Sequence, residues 1–222
     1  GAWLRGIHHF MAQAMIVLLA LHLMQVVIDG AYRAPREFNF WIGLCLLLIT
    51  LGLGLTGYLL PWDQRGFWST KVATNIMGSV PVVGQYLQRL AIGGTEYGHH
   101  TLTRFFALHA GLLPLLMIVL TFAHVALFRK HGLTYKQPKR SADATFWVDQ
   151  VLRDAVACLA VLATVLFLVS WPRLTGKGYW GAELSAPADP SSAFSAARPE
   201  WYFLFLFQFL KLPAFAGHNE VY

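Results

Sequence analysis

Charged residues are scarce in this chain. Only 13% of its 222 residues are Asp, Glu, Lys or Arg, whereas 56% are hydrophobic, a balance that argues against an ordinary soluble domain and favours a membrane protein. The apolar segments 10–28, 40–60, 105–128 and 151–171 can each cross ~30 Å of hydrocarbon as a helix, and a fifth begins at Trp201. The sequence therefore predicts an all-α fold, a polytopic transmembrane helix bundle.

Cysteine is almost absent. Cys45 and Cys158 lie in different apolar segments, and neither belongs to a CxxC or CxxCH motif, which excludes covalent c-type haem and iron–sulfur ligation within these residues. Free cysteines of this kind are usually small core residues. The first residues, GAWLRG, lack the basic start and the cleavage site of a signal peptide. We therefore expect a piece of a larger membrane protein, cut at both ends.

The positive charges are unevenly distributed. Segments 30–37 and 129–148 hold seven Lys and Arg residues in 28 positions, whereas 62–104 and 172–199 hold seven in 71. Because a high cation density in short loops faces inward, we expect 30–37 and 129–148 on the cytoplasmic side. The cations flank the apolar segments and form no continuous stripe, so nucleic acid is not an expected partner.

Histidines inside two of the apolar segments form matched pairs. His8 and His22 are 14 residues apart, and His109 and His124 are 15 apart. At 3.6 residues per turn the first pair shares one helix face, and the second overshoots by about 60°, which we attribute to a small helix rotation. Two such helices side by side would place facing imidazoles at two depths, about 21 Å apart. This is the geometry of two bis-histidine haems, although histidines that only hydrogen-bond between helices are the alternative.

The order of segments assigns a depth to each histidine. The first and third apolar segments both run from outside to inside, so His8 pairs with His109 near the outer surface and His22 with His124 near the cytoplasm. We divide the chain into a dihaem region, 1–128, that contains an external loop at 61–104, a cytoplasmic linker at 129–150, and a C-terminal region, 151–222, with a second external loop. The predicted bundle thus has a dihaem four-helix core.

Several motifs resemble cytochrome b, the core subunit of quinol-oxidising bc complexes. Besides the histidine pairs, these are GYLLPWDQRGFW (57–68), TLTRFFALH (101–109) and RPEWYFLFLFQFLKL (198–212). The 15-residue step and PWDQ resemble the chloroplast and cyanobacterial b6 branch. The unbroken run into the PEWY region resembles the fused bacterial and mitochondrial form. The resemblance implies a bacterial chain of the cytoplasmic (inner) membrane that lacks the family's first transmembrane helix and its C-terminal helices.

The resemblance also implies roles for residues beside the haems. Arg5 would meet a propionate of the outer haem, unless it is an ordinary interfacial arginine. Gly43 and Gly57, also 14 residues apart, would let the porphyrins approach the second helix, although close helix packing alone could explain them. At the inner haem this chain departs from the family, because Gln25 stands where an arginine is usual.

Two quinone sites follow from the same resemblance. At the outer site Glu200 would accept a proton from quinol, with Tyr202 beside it, although Glu200 could simply cap a helix and the aromatic residues could form an interface belt. At the inner site, the positive-inside rule and a helix-end ion pair are the alternative explanation for the charged residues. The outer quinol pocket would comprise Tyr58, Pro61, Trp62, Pro199 and Glu200, and the inner quinone site Arg129, Arg153 and Asp154.

The implied activity is electron transfer across the membrane, from quinol outside to quinone inside, with a contribution to a proton gradient. The cofactors would be two haems b and quinol or quinone; whether a third haem lies at the inner site is left open. Implied partners are a Rieske-type iron–sulfur protein, a c-type cytochrome or equivalent acceptor, membrane lipid, and a second copy of the complex. Alternatives are a dihaem membrane anchor between a dehydrogenase and the quinone pool, or a scaffold without redox activity.

Overall fold

The computed structural model describes residues 1–132, 145–192, 194 and 198–209. Within these ranges the regular elements are helices, and an isolated bridge between Asp63 and Pro187 is the sole strand-like pairing. The predicted all-α fold is confirmed. Most of the predicted cytoplasmic linker and the end of the chain lie outside the described residues, and the division at 128 and 150 stays a prediction.

Four helices of the described chain are long and apolar enough to cross a membrane. Helices α1 and α2 are Ala2–Ile28 and Glu37–Tyr58. The third span, His99–His131, consists of α5 (His99–Ala107), a π-helical segment (Leu108–Leu112) and α6 (Leu113–His131). The fourth, Phe146–Leu174, is a π-helical turn (Phe146–Gln150) followed by α7 (Val151–Leu174). All four contain the apolar cores expected from the sequence.

Most apolar side chains of these spans are not covered by the chain itself. Between 0% and 17% of each span's most apolar window is buried, and large side chains such as Phe122, Leu159 and Phe167 are exposed. In hydrocarbon such surfaces are already in a favourable solvent, so the spans need no protein cover. The chain is a multi-pass membrane protein.

The first of two compact units contains Gly1–Trp41 and His124–Glu183. Here α1 packs against α7, whose Val165 and Val169 are buried. Gly181 follows α7 with a φ of +74°; its amide donates to the Val169 carbonyl at 2.8 Å, and its backbone lies directly against Gly6 of α1. The start of α1 is therefore held by contact between two residues that lack a side chain.

The second unit contains Ile42–Ala123 and Leu184–Tyr222. The predicted outer segment forms the short helices α3 (Gln64–Gly78) and α4 (Gly84–Ile92), which pack on each other. Asp63 caps α3 by accepting from the Gly66 amide at 2.8 Å, and its other oxygen accepts from the Ser185 amide at 2.9 Å. One carboxylate thus ties the start of α3 to the segment after the fourth span.

The predicted fifth apolar helix begins as a 3-10 turn, Trp201–Phe203, and continues as α8, Leu204–Phe209. The start at Trp201 agrees with the sequence. The remaining part of this apolar run lies outside the described residues.

Replacing Gly6 with Ala should lower the free energy of unfolding by about 1–3 kcal/mol, because the new Cβ would collide with the backbone of Gly181, which cannot rotate away. Denaturation of the detergent-solubilised protein measures this loss. The control is Gly52→Ala, whose Cβ would make an ordinary 3.6 Å contact with Leu113. Equal stability of the two variants would contradict the expected collision.

Candidate functional site

His22 and His124 come together in the first unit. Their ring centroids are 6.5 Å apart, with planes at 88°. An imidazole nitrogen lies about 2 Å from a metal that it ligates, so rings on opposite sides of one metal have centroids roughly 6.4 Å apart. The Nδ1 atom of His124 is buried and has no hydrogen-bond partner among the described residues. The distance between the two rings therefore fits two imidazoles that ligate one haem iron.

His109 is held against α2 in the second unit. Its Nδ1 lies 3.0 Å from the Leu53 carbonyl oxygen and 3.4 Å from the Thr56 hydroxyl. Because a carbonyl only accepts, Nδ1 must carry the proton, and Nε2 is then the nitrogen able to ligate a metal. Metal-ligating histidines commonly donate their other N–H to a backbone carbonyl in this way. The orientation of His109 fits a haem ligand.

Gly57 makes the approach of His109 possible. A Cβ on Gly57 would lie 2.5 Å from Cε1 of His109, closer than any real side chain allows. Gly57 therefore contacts the imidazole of His109, the candidate haem ligand. The approach of one porphyrin to Gly57, and of a second to Gly43 nearer the start of α2, stays a prediction.

The π-helical segment explains the 15-residue spacing. His109 lies within Leu108–Leu112, where the backbone closes i→i+5 hydrogen bonds. Such a turn takes up one extra residue without changing the helical phase beyond it. Fifteen residues then turn the helix about as far as fourteen in a regular helix, which matches the spacing of His8 and His22. A π turn, and not the expected small helix rotation, therefore accounts for the extra residue.

The remaining residues of the predicted haem sites lie on the expected elements. His8 and Arg5 are on the first turns of α1, and the Arg5 guanidinium donates to the Ala182 carbonyl. His8 belongs to the first unit and His109 to the second, so their pairing stays a prediction. The propionate role of Arg5 also stays a prediction.

A mainly apolar pocket of about 120 Å³ lies in the second unit, between the end of α2, one face of α3 and the segment that begins at Pro199. Three of the predicted outer-site residues, Tyr58, Pro199 and Glu200, line it. Tyr202 lies next to this pocket, since its hydroxyl is 2.7 Å from the position that a Cβ on Gly54 would take. The other lining residues are Gly54, Leu55, Ser69, Val72, Ala73, Ile76, Phe203 and Phe207.

The lining residues on α3 were not predicted from the sequence. Ser69, Val72, Ala73 and Ile76 are spaced i, i+3, i+4 and i+7, the spacing of one helix face. This periodicity, directly after the PWDQ motif, is the signal that could have identified them.

Pro61 and Trp62 are not among the lining residues. Trp62 has a φ of +52°, its carbonyl accepts from the Ala188 amide at 3.1 Å, and its ring packs edge-on against Phe67 at 5.7 Å. This tight turn positions the start of α3. A direct role of either residue toward a quinone stays a prediction.

The predicted inner-site residues are exposed on the helix ends of the first unit. Arg129 is in the last turn of α6, and Arg153 and Asp154 are in the first turn of α7. Asp154 accepts from the side chain of Gln150 at 2.8 Å. A pocket that joins these three residues is not described, and their role stays a prediction.

A family model described as cytochrome b (N-terminal)/b6/petB matches residues 13–178. The cytochrome b6 proteins of Synechococcus sp. (strain RCC307) and Gracilaria tenuistipitata var. liui are each 41% identical over 133 residues, 60% of this chain. The match covers 61% and 62% of those relatives, so the chain spans about three fifths of their length.

A solved structure titled "Hyperthermophilic respiratory Complex III" is similar in fold. The two chains superpose with a TM-score of 0.78 and 25% sequence identity, over 96% of this chain and 58% of the other. Together with the family match over residues 13–178, this agrees with the resemblance read from the histidine pairs and the PEWY motif. The chain belongs to the cytochrome b/b6 family.

Proposed function

We propose that this chain is the dihaem core of a quinol-oxidising bc-type complex, an oxidoreductase subunit that passes electrons across the membrane and is active only within its complex. The observation that carries this proposal is the pair of imidazoles, His22 and His124, whose centroids are 6.5 Å apart on two membrane-length helices. Ionisable side chains inside a membrane are costly and mark functional sites by default.

Four histidines would hold two haems b. His22 with His124 would ligate the inner haem, and His8 with His109 the outer one. This pairing follows from the predicted direction of the first and third spans, which both run from outside to inside. The absence of a CxxCH motif in this sequence favours non-covalent b-type haem. Bound iron with two imidazole ligands would supply reversible one-electron chemistry without an open coordination position. The protein contributes the fixed orientation of each imidazole, as the bond from His109 to Leu53 illustrates.

The pocket in the second unit would bind the quinol head group. Its volume of about 120 Å³ approaches that of an engineered cavity, roughly 150 Å³, that binds benzene. Aliphatic and aromatic side chains would hold the flat ring, and the polar groups of Tyr58, Ser69 and Glu200 would orient its hydroxyls.

Glu200 would act as the proton acceptor at this pocket. A quinol releases electrons readily only if its protons leave as well, and a carboxylate at the pocket wall provides a base within reach. Glu200 lies close enough to Tyr58 and Tyr202 for its charge to act on both phenols. Tyr202, half-buried beside Gly54, would position the carboxylate and close the pocket.

Other parts of the assembly complete the proposal. A Rieske-type iron–sulfur protein would take the first electron from quinol and pass it to a c-type cytochrome or equivalent acceptor. A quinone near Arg129, Arg153 and Asp154 would receive the electron that crosses, and Asp154 would deliver its proton. The complex would be a homodimer in a bacterial cytoplasmic membrane, where lipid and neighbouring subunits cover the exposed apolar spans.

Replacing His22 with Leu should remove one of two haems, because a single imidazole remains at the inner site. Haem quantitation and a reduced-minus-oxidised spectrum, titrated against potential in native membranes, measure the loss. His9→Leu, one residue from His8 but about 100° around α1, is the control and should keep both haems. Two full haem components in His22→Leu would contradict the assignment.

The π turn predicts different results for two single-residue deletions. Deleting Ala110, within Leu108–Leu112, should convert the π turn to regular helix and retain both haems, since the spacing becomes 14 without a bulge. Deleting Val119, in α6, leaves the bulge and rotates His109 by about 100° relative to His124, so at least one haem should be lost. Loss of haem from both variants, or from neither, would contradict this account of the spacing.

Replacing Glu200 with Gln should lower quinol oxidation by roughly 10²-fold, the typical loss on removing a general base, while haem content stays unchanged. Stopped-flow reduction of the haems by quinol measures the rate. Asp189→Asn is the control: this exposed carboxylate lies in the same outer segment, and hydrogen bonds from the hydroxyl and amide of Ser191 lower its pKa. An unaltered rate in Glu200→Gln would remove the proposed base and favour a dihaem anchor.

A further inference from the structure

Ser69 connects α3 to the segment that carries Glu200. Its hydroxyl donates to the Arg198 carbonyl oxygen at 2.8 Å, across 129 positions of sequence. Ser69 is only 3% exposed, so its hydroxyl has little access to water, and leaving a buried polar group without its partner is costly. Arg198 is followed directly by Pro199 and Glu200. The anchored carbonyl is therefore two residues from the proposed base.

The backbone on the other side of Glu200 is also fixed. The Phe203 amide donates to the Glu200 carbonyl oxygen at 2.8 Å and opens the 3-10 turn Trp201–Phe203. Between the two anchors, Pro199 has a ring that restricts its φ to about −65°. Glu200 thus lies between a side-chain bond at Arg198 and a backbone bond at Phe203, with little freedom left in the connecting residues.

The same hydroxyl faces the pocket. Ser69 and Glu200 both line it, as does Tyr58, and the Tyr58 phenol lies beside the Ser69 side chain. Since a serine hydroxyl has one proton, and Ser69 gives it to the Arg198 carbonyl, that proton is not available to a group in the pocket. One buried side chain therefore both lines the pocket and holds the backbone before Glu200.

We infer that Ser69 is a positioning residue for Glu200, which holds the carboxylate at the quinol pocket through the Arg198 carbonyl. This inference rests on the proposed function of the pocket. Glycine or alanine could line the pocket equally well but could not donate to Arg198, so the hydroxyl has a purpose that pocket size alone does not explain.

The test is Ser69→Ala in the full complex in native membranes. Loss of one hydrogen bond should reduce the maximal rate of quinol oxidation roughly two- to tenfold, with KM for quinol changed less than kcat and haem content unchanged. A second readout is independent of turnover: the amides of Trp201, Tyr202 and Phe203 should exchange with deuterium several-fold faster. Thr74→Val is the matched control, since Thr74 is on the same helix, 1% exposed, and donates within α3 and pairs with Tyr97.

A double variant separates positioning from general stability. If Ser69 acts through Glu200, Ser69→Ala should have little further effect on the rate in the Glu200→Gln background. Independent, multiplied losses, or unchanged deuterium exchange at Trp201–Phe203, would overturn the inference. An unaltered rate in Glu200→Gln alone would instead overturn the proposed base, and exchange in Ser69→Ala would still decide whether Ser69 anchors the segment.

Discussion

A polar group inside hydrocarbon needs a partner, and much of this structure satisfies that need. The ring centroids of His22 and His124 lie 6.5 Å apart, and His109 bonds to the Leu53 carbonyl. Buried threonines of α2 donate to carbonyls one turn back in their own helix, as Thr50 does to Leu46. His109 differs from these threonines because its partner carbonyl, that of Leu53, belongs to a neighbouring helix, α2, and not to its own.

How much could be predicted depended on the range of the interaction. The spans follow from hydropathy, which is a local property, and the described helices agree with them. The histidine pairs were predicted from helical period, and the approach of His22 to His124 fits that prediction. The π turn at Leu108–Leu112 depends on an i→i+5 bonding choice that the residues LHAGL do not specify. The pocket was only partly predicted, because its α3 face becomes relevant only when a segment about 130 residues away in sequence packs against it. Trp62 is not among the lining residues of this pocket, and its ring packs against Phe67 at a tight turn.

The two compact units use different means of cohesion. In the first, the start of α1 is held by a glycine contact, because the backbone of Gly6 touches that of Gly181 in the segment after α7. In the second, side-chain hydrogen bonds join elements distant in sequence: Asp63 bonds to Ser185 and Ser69 to Arg198. Glycine contacts suit a lipid environment, where close backbone packing replaces the hydrophobic effect. Side-chain hydrogen bonds suit the predicted outer surface, where they hold the loops in place although water competes for the same polar groups.

The π turn has a consequence for the spacing of the candidate ligands along a helix. An insertion of one residue into a regular helix would rotate everything beyond it by about 100° and separate paired ligands. Where the backbone loops the added residue into a single wide turn, the insertion is nearly silent in three dimensions. Lineages can therefore differ by one residue between the two ligands of a helix and keep the same cofactor geometry, so a search pattern with one fixed ligand spacing would divide a single family into two.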